Sequence, residues 1–252
     1  MSDLKTLVMV FKGPLQSYGS NSHFEIRHTD PHPSKSAVVG MIAAAMGIRR
    51  EEEERFLPLN TLKFAVRIDQ IGRMISDYQT AAKYKSSGEF DRTYVTKRYY
   101  LEEAVFLVAV EGEDALIDEA WLCLQYPYFP IFYGRRSCPV SYDFLVGVYE
   151  GDAMRQMQDQ PWMAAAWYQK GIKEEKVGLD IYTDQDYLSQ GRERYLRRDH
   201  PTSFSQLGRK HEYRFEVHGQ VYIDNKNYRR PADQGTDHDA FAALDEESDV
   251  SE

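Results

Sequence analysis

Ala104-Val105-Phe106-Leu107-Val108-Ala109-Val110, followed by Leu116, Ile117, Ala120, Trp121 and Leu124, decides the fold. The unbroken apolar run predicts a strand, and the i, i+1, i+4, i+5, i+8 series after it is one face of a helix, halted by Pro127. The same pair of patterns stands upstream. Leu4 to Phe11 reads as a buried strand ending at Gly13-Pro14, and Val38, Met41, Ile42, Ala45 and Met46 share a helix face. Between the two pairs, Leu62 to Ile68 alternates with period two, as a half-buried strand does, and Phe144 to Tyr149 supplies a fourth strand. The order strand, helix, strand, strand, helix, strand predicts an α+β domain over residues 1–150. A ferredoxin-like (RRM-type) arrangement fits it, a small antiparallel sheet with two helices on one face.

The first helix is unusual in having a back made of Gly40, Ala43, Ala44 and Gly47, so it should lie between the sheet and something that approaches closely. Ser34 or Ser36 is a suitable N-cap and Gly47 a suitable C-cap. Beyond Asp152 the pattern weakens. Asp152 to Gln158 and Pro161 to Lys170 suggest short helices, and Leu179 to Tyr182 and Tyr213 to Ile223 alternate like strands. Residues 151–231 are expected to form a smaller β-rich C-terminal lobe, and 232–252 an acidic disordered tail.

Composition narrows the classes. A chain of 252 residues with 42% hydrophobic and 28% charged residues can build a core. Its longest run without a polar side chain is the twelve residues from Ala37 to Ile48. A membrane span needs about 18 or more. With no signal-like opening segment, a cytoplasmic location is expected. Cys123 and Cys138 lie alone, without the spacing of a zinc site, and read as ordinary thiols. The net charge of −9 is mostly local: residues 232–252 hold eight acids and no Lys or Arg, which leaves 31 basic against 32 acidic side chains elsewhere. A nucleic-acid ligand therefore remains open.

Four features could carry chemistry. The connection from Ile71 to Tyr100 is far longer than a hairpin needs and interleaves Arg73, Lys83, Lys85, Arg92, Lys97 and Arg98 with Tyr78, Tyr84, Phe90, Tyr94, Tyr99 and Tyr100. Cations for phosphates and rings for bases suit single-stranded nucleic acid, while a surface hairpin packing on its own base is the alternative. Ser34-Lys35-Ser36 at a helix start could hold an anion, or could be caps and a solvated lysine. Tyr133-Gly134-Arg135-Arg136-Ser137-Cys138-Pro139 reads as a rigid loop presenting guanidinium groups to phosphates or to internal acids. Arg192, Arg194, Arg197, Arg198, Arg209, Lys210 and Arg214 read as a solvated charged stretch, with a phosphate-contacting edge or a subunit contact as the other possibilities. No catalytic motif accompanies the seven histidines, and Ala104 to Val110 lacks the aromatic pattern with which RRM sheets stack bases. RNA would be held by loops, and no enzyme class, metal or cofactor is indicated.

Phe11-Lys12-Gly13-Pro14-Leu15-Gln16-Ser17-Tyr18-Gly19 resembles the opening of the "Cas five" family, the CasD subunits of type I-E CRISPR Cascade complexes. Pro33 to Ile48 is similar to that family's helix, Thr96-Lys97-Arg98-Tyr99-Tyr100-Leu101 to one of its strands, and Tyr133 to Val140 to its arginine loop. Looser similarity runs on through Arg198-Asp199-His200-Pro201. The resemblance implies a protruding thumb, matching residues 71–98, and a non-catalytic subunit that caps the 5′ handle of the CRISPR RNA. It also implies contacts with the CasC backbone subunit and the CasA large subunit, and with target DNA indirectly. The RNA-binding set would be Gln16, Ser17, Tyr18, Gly19, Arg27, Ser34, Lys35, Ser36, Lys83, Tyr84, Lys97, Arg98, Tyr133, Arg135, Arg136, Ser137 and Arg198. Type I-C relatives instead cut precursor RNA without metal, for which Lys83, Tyr84, His23 and His28 could supply the groups.

Overall fold

A computed structural model describes residues 4–19, 25–184, 193–205, 208 and 210–228. His23, Arg192, Arg209 and the acidic segment 232–252 lie outside the described residues. In chain order come β1 (Leu4–Lys12), β2 (Leu15–Gln16), β3 (Ile26–Arg27), α1 (Lys35–Ala45), α2 (Glu53–Phe56) and a 3-10 turn (Leu57–Thr61). β4 (Lys63–Gln70), β5 (Arg73–Tyr84), β6 (Phe90–Glu102), β7 (Val105–Glu113), α3 (Asp114–Gln125) and β8 (Leu145–Glu150) follow. Last are α4 (Ala153–Asp159), α5 (Ala166–Gly171), β9 (Lys176–Asp184), β10 (Arg194–Ser203) and β11 (Lys210–Asp224).

Seven strands form one sheet in the order β10-β11-β9-β4-β7-β1-β8, with every pairing antiparallel. The architecture is mixed α+β. On one face Leu7, Met9, Phe11, Phe64, Val66, Phe106, Val108 and Val110 pack against Val38, Ile42 and Ala45 of α1 and Ile117, Ala120 and Leu124 of α3. The other face is covered too: Val8, Ala65, Leu107 and Ala109 pack against Ala153 and Met157 of α4. That second layer explains why β1 and β7 are apolar without alternation, since both of their faces leave water.

The C-terminal strands differ from expectation. Instead of forming a lobe apart, β9 pairs with β4 through Ala65↔Thr183, Val66↔Tyr182 and Arg67↔Ile181, so β9, β11 and β10 extend the first sheet. They keep a small apolar cluster of their own around Trp162, Leu179, Ile181, Val221 and Ile223. Arg67 fixes the covering segment. Fully buried, it grips Asp69 through two bonds of 2.6 and 2.8 Å and donates to the carbonyls of Met157, Gln160 and Pro161. A guanidinium with five donors can be buried only where each finds an acceptor.

The long insertion is a hairpin. β5 and β6 pair from Arg73↔Glu102 out to Lys83↔Arg92, and every residue from Tyr78 to Thr93 is exposed. Its tyrosines therefore do not build the core. At its base β6 also pairs with β2 and, in parallel, with β3.

Candidate nucleic-acid interface

α1 starts as its sequence predicts. Ser34 is the N-cap, its Oγ accepting from the Ala37 N–H at 3.3 Å, and Gly47 at φ +69° follows the last turn. The small back of the helix lines a groove of about 1130 Å³ with Ser36, Gly40, Ala43 and Ala44 along its floor. Ser17 to Gly19, Arg27, the 129–135 loop, Arg49, Arg50, Arg198, Phe204 and His211 form its walls.

Three segments remote in sequence are strapped together at one end. The Ser17 N–H donates to the Tyr133 carbonyl, Tyr18 N–H to Thr29 Oγ1 at 2.8 Å, and Ser17 Oγ to the Tyr99 carbonyl at 2.9 Å. Gly134, at φ +77°, passes so close to this strap that a Cβ there would lie 1.9 Å from the Ser17 carbonyl oxygen. Only glycine meets both demands. Arg135 completes the tie, donating to the carbonyls of Tyr99, Arg27 and His28 at 3.1, 2.7 and 3.1 Å while lying over the Tyr100 ring at 4.9 Å.

Several expected contact residues turn out to be internal. Gln16, Tyr18 and Tyr133 are almost wholly buried. Gln16 donates to the carbonyls of Phe11 and Ala104 and accepts from the Tyr18 hydroxyl at 2.6 Å, so its hydrogen bonds are spent on positioning the strap. Burial pushes the Tyr18 phenol well above its ordinary pKa, which keeps that donor protonated. Lys35 is a second correction. The anion at this helix start is the protein's own: the Lys35 N–H donates to Asp199 Oδ2 at 2.9 Å and its ammonium pairs with Asp184 at 2.8 Å. A third concerns the late basic stretch, where the Arg197 and Arg214 side chains are largely covered rather than solvated. Arg197 pairs with Asp30 and Glu216, and Arg214 with Asp184, Asp199 and Glu216.

What remains around the groove is a set of guanidiniums without internal acids. Arg27, Arg49, Arg50, Arg135 and Arg198 all line it, and none has a carboxylate within ion-pair distance among the described residues. Elsewhere Arg55, Arg67, Arg73, Arg155, Arg197 and Arg214 are each paired with Asp or Glu. Among the described residues only Glu51 and Glu53 bring negative charge to the lining, and Glu53 accepts from Ser203. Arg136 and Ser137 are exposed just beyond, with Ser137 Oγ 3.3 Å from the Tyr100 hydroxyl.

The thumb residues form a separate set. Lys83 pairs with Asp91 at 3.4 Å and Tyr84 meets Phe90 edge-on, both at the hairpin tip, whereas Lys97 and Arg98 pair with β3 at its base. Arg49, Arg50, Phe129, Phe204 and His211 were missed in the sequence because Glu51 to Glu54 makes that stretch read as a solvated charge run and the rings are scattered along the chain.

The chain matches the family described as CRISPR-associated protein (Cas_Cas5) over residues 6–216. It is 28% identical over 194 residues to the CRISPR system Cascade subunit CasD of Escherichia coli K12, which covers 71% of this chain and 81% of that protein. A chain from a solved CRISPR RNA-guided surveillance complex superposes with a TM-score of 0.71 at 28% identity, covering 90% of this chain and 94% of its own. A crystal structure of a Cas protein gives 0.62 at 28% identity, with 89% and 98% covered. A family match that spans residues 6–216, most of the chain, places this chain in the CRISPR-associated Cas5 family.

Proposed function

We propose that this chain is a non-catalytic subunit of a Cascade surveillance complex, and that it holds the 5′ handle of the CRISPR RNA in the groove along α1. The observation that carries the reading is that five arginines without a carboxylate within ion-pair distance, among the described residues, gather around one groove, whereas the others so left, Arg92, Arg98, Arg136 and Arg194, are spread over the thumb, the arginine loop and β10. Like charges gathered around one concavity repel each other, and a polyanion laid between them turns that cost into attraction. Phe129 offers a ring for stacking, and the small residues Ala43 and Ala44 let a ribose-phosphate chain come close, while Phe204, packed over Gly40 and against Phe56, walls the groove. The order β4-β7-β1-β8, with α1 and α3 on one face, supports reading the core as ferredoxin-like. The exposed thumb, with Lys83, Tyr84, Lys97 and Arg98, would then reach the next stretch of RNA or the CasC-type backbone, with the CasA-type large subunit on a further surface.

Among the described residues the nuclease alternative draws no support from the geometry. Lys83 lies at the hairpin tip opposite Arg92, while His28 stacks at 5.2 Å on Tyr99, seven residues along the same strand from Arg92. At about 3.3 Å per residue that is ~23 Å, too far to act on one phosphate. The purified chain should bind handle RNA weakly, bind it tightly once backbone subunits are added, and leave it uncut with or without divalent metal. Repeat-specific products that vanish on mutating Lys83 or His28 would overturn the non-catalytic reading.

A further inference from the structure

The groove is basic, and the same chain ends in a segment with eight acids and no Lys or Arg between residues 232 and 252. We propose that this acidic segment is an internal competitor for the groove, occupying it until RNA arrives and keeping unrelated polyanions out. The idea rests on the groove being the RNA site for its consequence, but not for the contact itself.

Charge complementarity is the first argument. Arg27, Arg49, Arg50, Arg135 and Arg198 face the groove against only Glu51 and Glu53. A carboxylate offers a guanidinium the same bidentate acceptor geometry as a phosphate, so an acidic peptide can stand where RNA would. Reach is the second. The last described residue, Tyr228, follows the end of β11, whose other end brings His211 into the groove wall. The strand from His211 to Asp224 spans at most ~43 Å at about 3.3 Å per residue. Residues 229–252 extend to ~80 Å at the same rise, so about half of them bridge the distance. The remainder still carries Asp245, Glu246, Glu247, Asp249 and Glu252, five carboxylates for Arg27, Arg49, Arg50 and Arg198, the groove guanidiniums other than the tied Arg135. The contact needs no folded structure in the segment, and being electrostatic it yields to a longer polyanion as concentration and salt dictate.

The test uses the full-length chain with its eight tail acids changed to Asn or Gln, so that the groove is left open, and a fluorescent peptide of residues 232–252 added back. At low salt the peptide should bind at or below about 1 mM, the effective concentration a short tether supplies. Binding should weaken at least tenfold when Arg49→Ala and Arg50→Ala are introduced, and by a similar factor when salt is raised. Single-stranded handle RNA should then displace the peptide. No binding at 1 mM, or equal binding to the double arginine variant, overturns the inference. Arginine-dependent binding that RNA fails to displace keeps the tail in the groove and instead contradicts the groove as the RNA site. A second comparison excludes a general charge effect: neutralising the tail should raise affinity for unrelated single-stranded RNA about tenfold in the natural background and leave it unchanged in the Arg49→Ala, Arg50→Ala background. An equal gain in both would show that the segment acts only through net charge.

Discussion

At the scale of single residues the groove depends on a few positions with no spare freedom. Gly134→Ala puts a Cβ against the Ser17 carbonyl and forces a side chain to φ +77°. We expect a loss of roughly 2 kcal/mol or more in urea unfolding, together with weaker RNA retention as the strap shifts. The two adjacent arginines separate by role. Arg135 donates to three carbonyls and should lower stability by about 1.5–3 kcal/mol when changed to Ala, a range for hydrogen bonds from a charged donor that its partial exposure places at the lower end. Arg136 is exposed and should leave stability unchanged while reducing the slope of log K against log salt by about 0.7, one phosphate on a single strand. Equal slopes for Arg136→Ala and the natural chain would remove it from the interface.

His32 makes a pH prediction of the same scale. Its ring is buried, stacked on Tyr182 at 4.1 Å, with the Arg197 guanidinium 3.0 Å away and Asp30, Glu216 and Arg214 around it. Burial first, and the Arg197 charge second, lower its pKa to about 3. The unfolded imidazole titrates near 6.5, so unfolding takes up a proton at any pH between the two values. Its contribution is therefore fully present above about pH 6.5 and lost as pH falls toward 3. Between pH 7 and pH 5 the loss should be ~2 kcal/mol, at about 1.36 kcal/mol per pH unit. His200 is shifted the same way, so the measurement is the difference between the natural chain and His32→Asn, which should show a flatter profile over that window. Identical profiles would mean that the His32 ring binds protons alike in the folded and unfolded chain, and would contradict the shift.

Among the elements, the thumb is the most separable. Since Tyr78 to Thr93 are all exposed, the hairpin can be cut without opening the core. The register sets the boundary: Ala82 faces Thr93, and Thr96, Lys97 and Arg98 must stay because the first is buried and the other two pair with β3. Replacing Lys83–Arg92 by Asn-Gly joins Ala82 to Thr93 through a two-residue turn. The expected product has a near-natural melting temperature and fails to co-purify with the other subunits and RNA. An insoluble product would make the thumb a folding element, and normal assembly would make it dispensable. β1, β4, β7, α1 and α3 were legible in the sequence because their patterns are local, whereas the thumb was marked by the length of its connection and by the family resemblance. β10 was not. Arg197 and Arg214 read as solvated because the acids that neutralise them, Asp30, Asp184, Asp199 and Glu216, are brought together only by the fold.

For the whole molecule, the same limit divides what sequence could tell from what needed coordinates. That Ser17, Gly19, Arg27, Ser36, Arg135 and Arg198 share one groove follows from three straps between remote segments, and no spacing announces it. The small back of α1 was the exception: a helix that is apolar or small all round demands a close neighbour, and Phe204 over Gly40 and Tyr128 over Gly47 supply it at the edges of the groove. The central claim is that this groove, rather than the thumb tip or a sheet face, holds the RNA handle. Photocrosslinking tests it most directly, with 4-thiouridine placed through the handle, the complex assembled from the full-length chain, and the joined peptides identified by mass. The account predicts crosslinks to peptides containing Ser17–Gly19, Ala43–Arg50 or Phe204, reduced when Arg49 and Arg50 are changed to Ala. Crosslinks confined to Lys83–Phe90, and unchanged in that double variant, would contradict it.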